Sequence, residues 1–496
     1  MKSKNESEEY RGIFKSTFLF GFVQVFNILV KVITNKIVAV LLGAEGIGLI
    51  GIYNSTINLL KTGAGLGISQ SAVRDISEAN ASGDRDKFSK IISVTKKVIV
   101  FTALLGCVIT IVLSPWLSEW TLGNKSYVLA FVCLSIVVGI NILTEGQLAI
   151  LKGMRQLNAL AKASMIGALA GFITAIPMYY FFGKQGIVPS LIMTALSALF
   201  FSNYFVKKIQ YDRQKKSFIE VFYETKPMVQ MGIGLMLSSF LISVSDLIIS
   251  SFIRSVGNIQ EVGYFIAGTV IMHGYFGVVI NALSTDYYPR IAAINKNDKL
   301  LEEELNRQSS VSLILCCPLI VLFLFLLPLF VKILYTDDFF PTIELVKYGI
   351  LGTIITICSN QVDMILVAKF KTKLFLIISI FYRIAQVAIN IILYQYWGLV
   401  GSGIALTIMG VLHFIIMTSV VYKLYAIRYR KDFIKIAVVV VLFFILSLFF
   451  SNIPNLLFKY SIGTLLVIIS LFYSHAISTN KFGIDAIKIV KDKFNK

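Results

Sequence analysis

The sequence predicts an all-α polytopic membrane protein, and three observations support that fold class. Of the 496 residues, 56% are hydrophobic and only 15% are charged, and the mean hydropathy is +0.79. Apolar stretches of about 20 residues, the length at which a helix spans the hydrocarbon core of a bilayer, recur along the chain. Lysine and arginine are concentrated in short clusters between those stretches. A soluble domain would not carry so much apolar sequence, so that class is excluded.

We identify about fourteen apolar stretches, each long enough for one transmembrane helix. The N-terminal segment MKSKNESEEYR is polar and lacks a signal-peptide cleavage pattern, so we expect the first span itself to direct insertion. The predicted spans are residues 13–41, 46–70, 91–114, 126–149, 158–182, 186–206, 229–253, 262–284, 309–334, 344–368, 374–397, 399–422, 433–451 and 460–478.

The distribution of basic residues predicts the orientation of these spans. Thirty-six of the 46 lysine and arginine residues fall in, or within seven residues of, the N-terminal tail, every second connection and the C-terminal tail. Because cytoplasmic loops carry the excess of positive charge, both termini are expected in the cytoplasm. The net charge of +19 is spread over many clusters, which favours anionic phospholipids as partners and argues against nucleic acid.

Short sequence matches at a shared offset indicate an internal repeat. GIVPSLIMT at 186–194 resembles GLVGSGIALT at 398–407, LKGMRQL at 151–157 matches VAKFKTK at 367–373, and Arg74 falls opposite Arg290. The prediction is an N-terminal six-helix lobe (12–206), a cytoplasmic linker (207–228), a C-terminal six-helix lobe (229–425) and two additional helices (430–480). Such a parallel repeat has its pseudo-twofold axis along the membrane normal and its substrate site between the lobes.

Polar residues inside three spans follow helical spacing, so each set shares one face. A lysine at the bilayer centre is unfavourable by roughly 2.5–3.5 kcal/mol on insertion scales, and such residues usually face a water-filled cavity or a ligand. Hydrogen bonding between packed helices is the alternative explanation for the amides. From these stripes we predict a cationic substrate-binding cavity formed by Lys31, Lys61, Arg383, Asn27, Asn58 and Asn390.

Acidic residues and histidines within the spans are the candidates for ion coupling. Asp246, Asp286 and Asp363 either form ion pairs with the cations or couple transport to an H⁺ or Na⁺ gradient. His273 is either a proton-sensitive group of the cavity or a packed histidine. The basic residues of the spans exceed these aspartates in number, so the cavity is expected to be positive and to suit an anion such as a diphosphate.

No constellation of residues predicts catalysis or a cofactor. The sequence has no Ser-His-Asp arrangement, zinc motif or nucleotide-binding loop. The five cysteines all lie within apolar stretches without metal-ligand spacing, and the three histidines are far apart. We therefore expect a transporter without a metal or cofactor rather than an enzyme.

Several motifs resemble those of a known family. NKIVAVLLGAEGIG, LKGMRQLNALAKAS and YYPRI are similar to segments of the O-antigen and polysaccharide flippases, the Wzx group of the multidrug/oligosaccharidyl-lipid/polysaccharide exporter superfamily. The run Lys36, Ala39, Gly43, Gly46, Gly48 looks like the group's first extracytoplasmic turn. Lys152-Gly153-x-Arg155, Pro289-Arg290 and Ala368-Lys369 resemble its cytoplasmic turns. Together with Arg74, the resemblance gives the expected cytoplasmic gate motifs: Arg74, Lys152, Arg155, Arg290 and Lys369.

The resemblance covers about residues 12–425 and implies a function. It implies alternating access and transfer of an undecaprenyl-diphosphate-linked oligosaccharide, such as the repeat unit of O-antigen in lipopolysaccharide biosynthesis, across the bacterial cytoplasmic membrane. A polysaccharide polymerase and a chain-length regulator are the implied protein partners. The last two spans depart from the usual twelve. The related lipid II flippases also have fourteen, and they use the extra pair as a groove for the lipid tail.

Three alternatives stay open at this point. A cation-coupled multidrug exporter of the same fold should favour acidic cavity residues, whereas this chain has a surplus of Lys and Arg within its spans. A lipid II-type flippase shares the predicted architecture. A membrane-embedded polymerase or glycosyltransferase usually needs a sizeable external loop, and the sequence provides none.

Overall fold

The computed structural model describes residues 2–209, 218–276 and 287–482, with side chains described at 23–209, 228–274 and 287–480 apart from residues 235 and 372. Over those ranges the chain is almost entirely helical and has no β-strand. This agrees with the predicted fold class, because a helix satisfies all of its backbone hydrogen bonds within one segment and can therefore cross lipid.

The helices follow one another with short connections. Several have ordinary caps: the Asp84 carboxylate accepts from the backbone N–H of Lys87 (2.9 Å), and the Asn297 side chain accepts from that of Leu300 (3.2 Å). The helices are α1 (Lys2–Gly65), α2 (Ile68–Ser82), α3 (Arg85–Leu122), α4 (Val128–Gly153), α5 (Leu157–Phe182), α6 (Ile187–Lys207), α7 (Phe218–Val256), α8 (Ile259–Thr269), α9 (Tyr287–Ala293), α10 (Asp298–Leu334), α11 (Pro341–Ala368), α12 (Thr372–Tyr425), α13 (Lys431–Ser451) and α14 (Leu456–Phe482).

Within the described ranges, ten helical segments are long and apolar enough to cross a membrane, so the chain is a multi-pass membrane protein. Three of them, Val23–Gly65, Leu157–Lys207 and Lys373–Tyr425, have 43, 51 and 53 residues. One span needs about 20 residues, so each of these segments has about twice the length that a single crossing requires. Each also turns at a glycine with positive φ, at Gly43, Gly183 and Gly398.

Backbone features recur in the two halves of the chain with a spacing of 215 residues. Gly183 and Gly398 both have φ 55°, and Arg155 and Phe370 have φ 55° and 58°. The turn after α4 closes with a bond from Gln156 N–H to Leu151 O (2.9 Å), and the turn after α11 closes with one from Lys371 N–H to Leu366 O (2.9 Å). These matches support the internal repeat that the sequence predicts.

The chain divides into two compact units, Met1–Gly263 and Tyr264–Lys496. In the first unit α7 packs against α1, α2 and α3, so this unit continues past the predicted linker at 207–228. The division into compact units reports packing, whereas the predicted lobes follow from sequence repetition. The predicted lobe boundaries at 206 and 229 therefore stay a prediction.

In the second unit the two C-terminal helices pack on α10. Ser474 of α14 donates to the backbone oxygen of Ile314 (2.8 Å), and Leu466 packs in a buried cluster with Val321 and Phe325 of α10. The connection before α13 is held by Arg430, whose guanidinium donates to Glu302 (3.0 Å). This bond raises the pKa of Arg430. The additional pair of helices is therefore an integrated part of the second unit.

Candidate functional site

The first predicted cation lies on the part of α1 that precedes Gly43. That segment is one continuous helix, so Asn27 and Lys31, four residues apart, lie on the same face as predicted. Lys31 is exposed, and no hydrogen bond or ion pair joins it to any side chain in the described ranges. The Asn27 side-chain oxygen is buried and has no hydrogen-bond partner among the described residues.

Lys61, on the part of α1 that follows Gly43, forms an ion pair that the sequence analysis missed. Its ammonium lies 2.7 Å from the Glu145 carboxylate of α4. The sequence-based candidates for pairing with the cations of the spans were Asp246, Asp286 and Asp363, so Glu145 is an acidic partner that they did not include. Glu145 could have been found, since it is the single acid in the predicted span 126–149. Asn58, one turn before Lys61, is exposed.

Arg383 of α12 has a polar and an aromatic neighbour but no carboxylate partner. Its guanidinium donates to Gln386 (2.6 Å) and lies 5.3 Å from the ring centre of Tyr382. No ion pair joins it to an acid within the part of the chain that the structure describes. The third member of this stripe, Asn390, is buried and accepts from Ser402 (3.2 Å), so in this conformation it holds the two parts of α12 together.

Asp363 of α11 pairs with a histidine rather than with a lysine or arginine. Its carboxylate lies 3.7 Å from Nε2 of His413 on α12, and both side chains are largely buried, 15% and 10% exposed. The second carboxylate oxygen is buried without a hydrogen-bond partner among the described residues. Nδ1 of His413 is 2.8 Å from the Ser359 hydroxyl. In the sequence His413 is one of three histidines far apart in the chain, and its partner Asp363 is 50 residues away, so local spacing does not indicate the pair.

The remaining candidates for ion coupling are Asp246, His273 and Asp286. Asp246 lies exposed on α7 and takes part in a polar interaction of its own. His273 is exposed on a π-helical turn, Val270–Phe276, that follows α8. Asp286 lies outside the described residues.

The expected gate motifs of the second unit hold the N-terminal part of α10. Arg290 of α9 contacts Glu304 (2.5 Å) and donates to Gln308 (2.7 Å). Lys369, in the turn after α11, pairs with Asp298 (2.5 Å) and lies 4.9 Å from the ring centre of Tyr425. These two cations are therefore engaged in packing contacts in this conformation.

In the first unit the expected gate residues are more exposed. Arg74 of α2 pairs with its neighbour Asp75 (2.7 Å), while Lys152 and Arg155 in the turn after α4 are exposed. A surface segment nevertheless contacts this turn in both halves of the chain. Ser77 donates to the backbone oxygen of Gly153 (3.0 Å), and Asn295 donates to that of Ala368, 215 residues further on (3.3 Å).

Two close approaches of backbone in the first unit flank the part of α1 that follows Gly43, one at Gly48 and one at Gly67, just after α1 ends. A Cβ atom at Gly48 would overlap the carbonyl oxygen of Ile259, and one at Gly263 would overlap that of Ala44. The contact is reciprocal, and its two glycines are again 215 residues apart. At the other end of this part of α1, a Cβ at Gly67 would overlap the backbone of Gly232 in α7. Glycine is required at these contacts because any side chain would force the helices apart.

Comparisons with known proteins agree with this architecture. A Shigella flexneri protein named as an O-antigen transporter is 24% identical over 386 residues, which cover 75% of this chain and 88% of that protein. The solved structure of the lipid II flippase MurJ in an inward closed conformation matches with a TM-score of 0.69 at 15% identity, over 95% of this chain and 100% of that chain. An inward-facing multidrug resistance transporter of the MATE family, in the MOP superfamily, matches with a TM-score of 0.64 at 16% identity, over 81% and 95%.

These similarities settle the class of protein. The structural matches show that the fold is the one shared by MurJ and the MATE transporters. The relatives bear the names of transporters and flippases, in agreement with the expectation that the chain is not an enzyme. The model of one family, described as polysaccharide biosynthesis protein, matches residues 37–344, more than half of the chain. The chain therefore belongs to the polysaccharide biosynthesis protein family.

Proposed function

We propose that this protein is a flippase for an undecaprenyl-diphosphate-linked oligosaccharide, the repeat unit of O-antigen or of another surface polysaccharide, in the bacterial cytoplasmic membrane. The observation that carries the proposal is that Lys31 and Arg383, both within membrane-spanning helices, have no acidic partner among the described side chains. A cation in that position is stabilised by water or by an anionic ligand. The named O-antigen transporter among the relatives supports the choice of glycan carrier.

The diphosphate head supplies the missing negative charge. Lys31 and Lys61 each donate from an ammonium group, and Arg383 presents a planar pair of donors that suits two phosphate oxygens. Lys61 exchanges Glu145 for phosphate when the substrate binds. Asn27 and Asn58 add neutral donors from the same helix faces, while Asn390 supports the bend of α12 near Arg383.

The topology belongs to the same proposal: fourteen spans with both termini in the cytoplasm. It is supported by the three long segments that turn at Gly43, Gly183 and Gly398 and by the excess of basic residues in alternate connections. The cycle is alternating access. The backbone contacts at Gly48–Gly263 and Gly67–Gly232 close in one state and separate in another, and the five expected gate cations move with the cytoplasmic turns.

Coupling to an H⁺ or Na⁺ gradient completes the proposed function. Of the candidates for coupling, Asp363 is the one whose surroundings best suit proton binding, since its buried carboxylate and the nearby His413 can share one proton.

The direct test replaces the two unpaired cations. Lys31→Ala and Arg383→Ala should each abolish surface polysaccharide and cause lipid-linked oligosaccharide to accumulate on the cytoplasmic leaflet. Lys125→Ala is the matched control, because Lys125 is an exposed lysine outside the predicted spans. Normal polysaccharide from both variants at wild-type protein levels would contradict the proposed site.

The structural similarity to MurJ and to the MATE transporter suggests two other substrates, and cell-based assays can exclude each of them. MurJ is a lipid II flippase and the MATE protein is a multidrug transporter by name. Rescue of cells depleted of their lipid II flippase would favour lipid II as substrate. Increased drug resistance on overexpression, with unchanged polysaccharide on deletion, would favour drug export.

A further inference from the structure

An apolar groove in the second unit lies outside the site described above. It has a volume of about 610 Å³ and is formed by α10, α11, α12 and α13. Aliphatic and aromatic side chains line most of it, among them Leu351, Phe414, Phe433, Val438 and Leu442. Val438 and Leu442 are 53% and 52% exposed, so the groove is open along α13. In a membrane this open side faces lipid. An apolar cavity of this kind does not hold ordered water, and it takes an apolar occupant.

The groove has a single basic residue in its lining, Arg428, in the connection between α12 and α13. The backbone N–H of Arg428 donates to Glu302 (3.3 Å), whose carboxylate also accepts from the side chain of Arg430 (3.0 Å). The guanidinium of Arg428 itself has no hydrogen bond or ion pair within the described ranges. An apolar groove thus begins beside a cation that has five unused donors.

The length of the groove fits one lipid chain. Its α13 wall runs from Phe433 to Leu442, a rise of about 14 Å at 1.5 Å per residue. The hydrocarbon of one leaflet is about 15 Å deep, half of the bilayer core. An acyl chain that starts at the level of Arg428 therefore fits along α13, whereas a polyprenyl chain of eleven isoprene units is far longer than the groove.

We propose that this groove binds one anionic phospholipid, with an acyl chain along α13 and the phosphate on Arg428. A guanidinium donates two parallel hydrogen bonds to a phosphate, and basic pockets between transmembrane helices at the cytoplasmic side bind lipid head groups in this way. The bound lipid fills the space between α13 and the helices α11 and α12. The inference is separate from the proposed function, because it concerns neither the transported lipid nor its site.

The test measures retention of phosphatidylglycerol by the full-length protein. The protein is reconstituted in vesicles of phosphatidylglycerol and phosphatidylethanolamine, extracted in mild detergent, and its lipid adducts are followed by native mass spectrometry at rising collision energy. Arg428→Gln removes the phosphate contact, and Val438→Trp fills the groove. Lys435→Gln and Ile445→Trp are the matched controls: Lys435 and Ile445 lie on α13, are exposed and do not line the groove.

Wild-type protein and both controls should retain one phosphatidylglycerol. Arg428→Gln should weaken retention by about tenfold or more, the size expected for loss of charge-assisted hydrogen bonds to the phosphate. Val438→Trp should weaken retention as well, because the indole occupies the space of the acyl chain. Equal retention by all five proteins would overturn the proposal. Retention of undecaprenyl phosphate in place of phosphatidylglycerol after extraction from cells would overturn it as well. If Val438→Trp fails to fold, Arg428→Gln against Lys435→Gln still decides the question.

Discussion

At the scale of single residues, the proposed site requires that Lys61 leave Glu145 to bind an anionic ligand. The side chain of Lys61 is 20% exposed and that of Glu145 is 46% exposed, so the pair is open to a competing phosphate. In the water-filled cavity of the proposed site an ion pair of this kind contributes at most about 1 kcal/mol to stability, so exchanging the carboxylate for a ligand is expected to cost little.

Glu145→Gln tests this exchange. It should leave the melting temperature nearly unchanged and preserve polysaccharide export, because the amide releases Lys61 for substrate. Lys61→Ala, by contrast, should abolish export while the protein remains in the membrane. Thermal unfolding and surface polysaccharide are measured for both variants. Equal loss of export in the two variants would show that the Lys61–Glu145 ion pair has a structural role and that Lys61 is not released to bind the substrate.

At the scale of helices, the glycines at close contacts decide how tightly the elements approach. Gly263 meets the backbone of Ala44, which cannot yield as a flexible side chain can. Gly234 on α7 has open space around it. The two positions therefore form a matched pair for the same substitution.

We expect Gly263→Ala to destabilise this conformation by about 1–3 kcal/mol, the usual effect of overpacking. Gly234→Ala should be neutral or slightly stabilising, because alanine is favoured over glycine within a helix by about 1 kcal/mol. Melting temperatures in detergent distinguish the two. A tolerated Gly263→Ala with unchanged export would mean that the close contact has no part in the transport cycle.

At the scale of the whole molecule, the proposed coupling links protonation at Asp363 and His413 to movement of substrate. Asp363→Asn should abolish transport driven by an imposed pH gradient in vesicles while preserving exchange of substrate across the membrane. His413→Gln should have the same effect, because the proposed coupling requires both side chains to share one proton. Glu119→Gln, at an exposed acid that pairs with Lys125, serves as the control. Unchanged pH-driven transport in both variants would contradict this assignment and move proton coupling to another group, such as Asp246, Asp286 or His273.

Several parts of the fold and site could be predicted from local sequence. Spans follow from runs of apolar residues, and the face shared by Asn27 and Lys31 follows from helical spacing, which continuous helices preserve. Glu145 stands out as the single acid of its predicted span, but its pairing with Lys61, 84 residues away, could not be predicted, and neither could the pairing of Asp363 with His413, 50 residues away. Hydrogen bonds and ion pairs depend on which helix faces meet, and hydropathy does not encode this.

The sequence by itself determined that this protein is an all-helical, multi-pass membrane protein, because lipid leaves a backbone few alternatives, and its local turn motifs already resembled those of a polysaccharide-related family. Only the tertiary structure decided that Lys61 is paired while Lys31 and Arg383 have no described acidic partner, that Asp363 meets His413, and that the last two helices pack on α10 around Val321 and Phe325. The physical reason is that charge compensation and packing arise between helices distant in the chain, where spacing along the sequence carries no information about distance in space.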